Sequence, residues 1–82
     1  MSQADGIRKF VGDNYIEPAR KRGDKTIVIV SGDVHDRMGF FERWPNVCQV
    51  LDGKIFHKQF NIKLVSRTGP KQSSTVEYEF QI

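Results

Sequence analysis

Between Ala4 and about Arg22, the apolar residues Ala4, Ile7, Phe10, Val11 and Tyr15 recur at spacings of three and four, which predicts a helix with one apolar face. Pro18 removes a backbone donor, so this helix is expected to end near Glu17 or to kink and resume for a turn, and Ile16 falls off its stripe. Arg20, Lys21 and Arg22 ahead of Gly23 suit a helix C-terminus, where cations meet exposed carbonyls and glycine takes the left-handed cap. Lys25 to Val30 is dense in β-branched residues and lies between Gly23-Asp24 and Ser31-Gly32, which predicts a short strand. Both faces of that strand are apolar, so it is either buried on both sides or an edge strand lying across the helices.

Ser31 is placed to cap the next helix and Asp33 to put negative charge in its first turn. Val34 and Met38 share a face of that short helix, Gly39 ends it, and Phe40 and Phe41 fill the turn that follows. A further helix is predicted from Arg43 or Trp44 to Asp52, with Pro45 in the first turn, where a missing N–H costs nothing. Trp44, Val47, Cys48 and Leu51 form its inward stripe, Val50 sits at the edge, and Glu42, Asn46 and Gln49 point the other way. Gly53 closes this helix, and Lys54 to Phe60 reads as another turn or two with Phe56 and Phe60 inward. Ile62 to Arg67 then reads as a strand, Thr68 to Ser74 as a loop, and Thr75 to Ile82 as the returning strand. In the return, Val76, Tyr78, Phe80 and Ile82 alternate with Glu77, Glu79 and Gln81, so one face is buried and the other wet.

These elements make one domain over residues 1–82, with 38% hydrophobic and 28% charged residues, a composition that excludes global disorder. No apolar run approaches the ~18 residues of a membrane span, and the N-terminus lacks a basic-then-apolar leader pattern, so a cytoplasmic protein without membrane contact is expected. The single cysteine, Cys48, cannot form an intramolecular disulfide or a cysteine-based zinc cage, and it lies on an apolar stripe as a small hydrophobe. Asp33, His35 and Asp36 alone resemble metal or catalytic chemistry, but helical positions 33, 35 and 36 do not converge on one point. Capping and surface solvation account for all three, and His57 is expected at a surface. Neither a glycine-rich phosphate loop nor a serine elbow is present, so no enzyme activity, metal or cofactor is predicted.

The formal charge of +3 is mild, but its distribution is uneven. Six basic residues (Arg43, Lys54, Lys58, Lys63, Arg67 and Lys71) stand against one acid, Asp52, between positions 43 and 71, a local excess of five that leaves the rest at −2. Such a segment suits a polyanion.

The order helix, short strand, helix, turn, helix and C-terminal hairpin with a basic loop resembles the winged helix-turn-helix superfamily, an α+β fold of three helices, a short strand and a β-hairpin wing. The stretches Ser31 to Gly39 and Trp44 to Cys48 look like parts of small prokaryotic domains. The resemblance implies that Arg43 to Asp52 is the recognition helix, Val34 to Met38 the helix before it, and Thr68 to Ser74 the wing. It implies binding of nucleic acid, double-stranded DNA first, as a regulator or accessory module. Asn46 and Gln49 could then read adenine edges. Arg43, Lys54, Lys58, Arg67 and Lys71 would pair with phosphates. One departure from the superfamily is that the outward face of the recognition helix is polar rather than richly basic. The alternative is a protein-interaction or dimerisation module, whose sign would be an exposed apolar patch at Phe40, Phe41, Val50 or the first helix. A homodimer could also serve DNA binding by setting two recognition helices in successive grooves.

Overall fold

The structure, a computed structural model, describes residues 2–69 and 73–82. Helix α1 (Gln3–Val11) opens with a capping box, in which the Ser2 hydroxyl accepts from the Asp5 N–H and the Asp5 carboxylate accepts from the Ser2 N–H. The chain then passes through one π turn (Gly12–Ile16) into α2 (Glu17–Lys21) without breaking. Pro18 accounts for the widened turn, because it offers no N–H and its ring crowds the carbonyl four residues back. The extra residue in the turn shifts the helical phase, so that Tyr15 and Ile16 both face the core. Ile16 is fully buried, contrary to its expected place off the stripe. Gly12 lies in this turn beneath the Phe60 ring, and a Cβ there would fall 2.1 Å from Phe60 Cζ.

Strands β1 (Thr26–Val30), β2 (Lys63–Thr68) and β3 (Glu77–Gln81) form an antiparallel sheet in the order β1-β3-β2. Of the two expectations for the first strand, the edge position holds: Ile29 is buried, while Val28 is 54% exposed on the open face. The central strand β3 turns Tyr78 and Phe80 inward and Glu77, Glu79 and Gln81 outward, as its alternation predicts. It is shorter than the expected Thr75 to Ile82.

Helices α3 (Ser31–Arg37), α4 (Trp44–Asp52) and α5 (Lys54–Gln59) complete the domain. Ser31 does not cap α3. Its hydroxyl donates to the Ser73 carbonyl at 2.5 Å, and the N–H groups of Ser31 and Gly32 donate to the carbonyls of Val76 and Ser74 at 2.9 Å. The arm returning into β3 is thus bound to the start of α3. Gly53 is extended (φ −81°, ψ 140°) rather than left-handed, and it serves as the first non-helical residue before α5. Gly23 and Gly39 do take the left-handed conformation, at φ 82° and 72°.

One core runs between helices and sheet, built on Ile7, Val11, Ile16, Ile29, Val47, Leu51, Phe56, Tyr78 and Phe80. Burying a side chain such as Phe56 or Phe80 stabilises the fold by roughly 2–3 kcal/mol. The result is a small α+β domain with its helices against one face of a three-stranded antiparallel sheet. Among the described residues no helix is long and apolar enough to cross a membrane.

Candidate nucleic-acid interface

The start of α4 is set by a buried imidazole. His35 on α3 is 3% exposed, stacked on Trp44 at 4.8 Å between ring centroids and edge-on to Phe40. Its Nε2 accepts the Arg43 backbone N–H at 2.9 Å, so the ring is neutral in that bond and its hydrogen sits on Nδ1, 3.3 Å from Asp36 Oδ1. His35 therefore holds the turn between α3 and α4, and the expectation that it is solvated at the surface is overturned. The Arg43 side chain, one residue before α4, is exposed.

The outward face of α4 differs from its expected form. Asn46 is half-buried, and its Nδ2 donates to Gln3 Oε1 on α1, so its amide is committed within the domain. Gln49 is exposed, and its neighbours on the open face of the helix are Pro45 and Asp52. Asn46 and Gln49 both border an open groove of about 540 Å³ between α4 and the beginning of α1. The sequence pattern placed both residues correctly on one side of the helix. It could not show that α1 comes up against that side.

Arg67 is also withheld. A register shift between Leu64 and Ser66 leaves Val65 as an extra residue in β2, so that Ser66 pairs with Glu79 on the outer face and Arg67 pairs with Tyr78 on the inner one. The bulge thus reverses the alternation that would have pointed Arg67 outward. Its guanidinium lies 5.3 Å from the Tyr78 ring centroid, and its Nε donates to Asp52 Oδ1 at 2.9 Å. The Tyr78 hydroxyl donates to the other oxygen of Asp52 at 3.1 Å. Burial first, and then the neighbouring Cys48, hold the Tyr78 hydroxyl well above the usual phenol range. Asp52, the single acid in the basic segment, is therefore bound to the arginine expected on the wing. Lys71, the other expected wing contact, lies outside the described residues, as does the adjoining part of the Thr68 to Ser74 loop.

Lys54 and Lys58 stand one turn apart on α5, both exposed. The helix that carries them is held to the end of α4 by His57, whose Nε2 donates to the Leu51 carbonyl at 2.8 Å and whose ring lies edge-on to Phe56 and Phe80. His57 is half-buried rather than at the surface. Sequence reading missed both histidines as structural fasteners, because each acts on a backbone group six to eight residues away, with no local signature.

Ion pairs are denser in the first half of the chain than in the second. Arg8, Lys9, Arg20, Arg22 and Arg37 are paired with Asp5, Asp13, Glu17, Asp24 and Asp33 in the first half of the chain. The hydrogen bond from Arg8 holds the Asp5 carboxyl below its usual range. Arg43, Lys54, Lys58 and Lys63 have no acidic partner among the described residues, and in the first half the same holds for Lys21 and Lys25. Glu77 and Glu79 stand on the open face of the sheet and make that face unsuited to phosphate. No protein-family model matches this sequence, and neither a curated protein nor a solved structure matches it.

Proposed function

We propose that this is a winged-helix domain that grips the nucleic-acid backbone, duplex DNA first, through Arg43, Lys54 and Lys58, with little reading of base sequence. Its element order, with four helical segments, a first strand inserted between the first and second of them and a closing hairpin, supports the winged-helix assignment, as does the sheet order β1-β3-β2. The observation that carries the functional reading is the contrast in pairing. Cations of the first half are mostly neutralised by neighbouring acids, whereas Arg43, Lys54 and Lys58 are exposed and unopposed among the described residues. A free lysine releases counterions when it meets phosphate, so affinity arises without base contacts. The commitment of Asn46 to Gln3 removes one of two candidate base-reading side chains.

The test is a fluorescence-anisotropy titration with a labelled duplex at several salt concentrations, alongside single-stranded DNA and RNA. Lys58→Ala should weaken binding to all duplexes alike and reduce the salt slope by about one. Asn46→Ala should leave sequence preference unchanged. Absence of salt-dependent binding at low ionic strength refutes the proposal.

A further inference from the structure

We infer that the groove between α1, α4 and α5 receives an amphipathic helix of a partner protein whose flanks are acidic. The floor is apolar and belongs to three helices: Ala4 and Ile7 from α1, Val50 from α4, Ile55 and Phe56 from α5. Ile55 is 67% exposed at its edge. An apolar side chain standing in water beside an apolar trough is a surface to be covered as well as filled. A helix laying one face into the groove does both.

The charge of the lining selects the partner. Arg8 and Lys54 are its only charged residues, and no carboxylate lines it. Arg8 is bonded to Asp5, which does not border the groove, and Lys54 has no acidic partner among the described residues. Gln3, Asn46 and Gln49 add amides along the rim, two of them already bonded to each other. A helix with glutamates or aspartates beside its apolar stripe complements that rim. A second copy of this chain does not, because two such linings brought together by a two-fold axis supply no carboxylate to Arg8 or Lys54. A nucleic-acid backbone would meet Lys54 but leave Ile55 and the apolar floor uncovered. This surface shares Lys54 with the phosphate grip proposed above, but Arg43 and Lys58 do not line it, so substitutions at Lys58 and Ile55 separate the two.

The experiment is a titration of the isotopically labelled chain with two synthetic helical peptides of about four turns. Both carry leucines on one face, and their remaining positions are glutamate in one and lysine in the other. The acidic peptide should move the amide resonances of Ala4, Ile7, Gln49 and Ile55 in a saturable manner, while the lysine peptide leaves them in place. Ile55→Glu changes an exposed side chain, so the fold persists, and it should weaken the acidic peptide roughly tenfold or more. Lys54→Glu should shift preference toward the lysine peptide, and Lys58→Glu should leave peptide binding unchanged. Equal response to both peptides, shifts that map elsewhere, no binding of either, or a dimer of the free chain abolished by Ile55→Glu would each overturn the inference.

Discussion

Asp52 sits where two demands on the domain oppose each other, and Asp52→Asn separates them. The carboxylate accepts from Arg67 at 2.9 Å and from the Tyr78 hydroxyl at 3.1 Å, with the arginine side chain 27% and the aspartate side chain 38% exposed. A partly exposed ion pair contributes about 0.5–1 kcal/mol, and a hydrogen bond to a charged group somewhat more. Asparagine keeps one acceptor oxygen for Tyr78, so the expected loss of stability is about 1 kcal/mol, or a fall of roughly 4–8 °C in Tm for a domain of this size. The same change frees Arg67. If cations hold nucleic acid here, one further phosphate contact should steepen the salt slope by about 0.9 and tighten duplex binding about threefold at low salt. Thermal unfolding and anisotropy on the same preparations read both effects. Arg67→Ala in the Asp52→Asn background is the control: it should abolish the gain in affinity while stability changes little further. Lower stability without tighter binding refutes the reasoning. So does a gain that survives in the double variant, since loss of a negative charge would then account for it without Arg67.

His35→Ala should destabilise the domain by about 2–4 kcal/mol in urea unfolding, because it empties a buried site and leaves the Arg43 N–H without its acceptor; a change under 1 kcal/mol would show that the turn does not depend on it. Alkaline stability should depend on Tyr15. Burial, reinforced by its hydrogen bond to Asp33 and opposed by Arg37, pushes its hydroxyl from an ordinary value of 10.0 up to about 12. The folded protein thus holds this proton more tightly than the unfolded chain, so its contribution is fully present below pH 10 and is lost as pH rises toward 12. Urea midpoints measured across that window should fall less steeply for Tyr15→Phe than for the parent, and parallel curves would remove Tyr15 from the account.

Much of the fold was legible because its signals are local. The α4 stripe of Val47, Cys48 and Leu51 is buried as its spacing requires, and the alternation at Tyr78 and Phe80 sets the inner face of β3. Gly23 and Gly39 end their helices with positive φ. What failed were departures from regular period. Pro18 marks an irregularity past which the helix resumes, as one of its two alternatives has it, but the means is a π turn that brings Ile16 inward. Nothing in Lys63-Leu-Val-Ser-Arg67 announces the bulge, because a bulge is set by the partner strand's register, and its one extra residue reverses the direction of Arg67.

The candidate site was less legible for a related reason. Sequence position identifies which side chains leave the core, not which meet another element once outside it. Asn46 points away from the stripe that anchors α4 and Arg67 counts among the expected phosphate contacts, yet both are engaged across long separations, by Gln3 and by Asp52. The two lysines on α5 keep their expected exposure because the helix that carries them is fastened from the inside by His57 and Phe56, leaving Lys54 and Lys58 with no described neighbour of opposite charge. The local excess of positive charge counted along the chain therefore overstates what faces a ligand. Asp52 cancels Arg67, and among the described residues of that segment the unpaired cations stand on α5 and at the entrances to α4 and β2 rather than on the face of α4. That redistribution favours contacts with phosphate over contacts with base edges, since a reading helix needs its hydrogen-bonding side chains exposed along one groove-sized face. It also leaves the trough beside α4 apolar and available to a different class of partner.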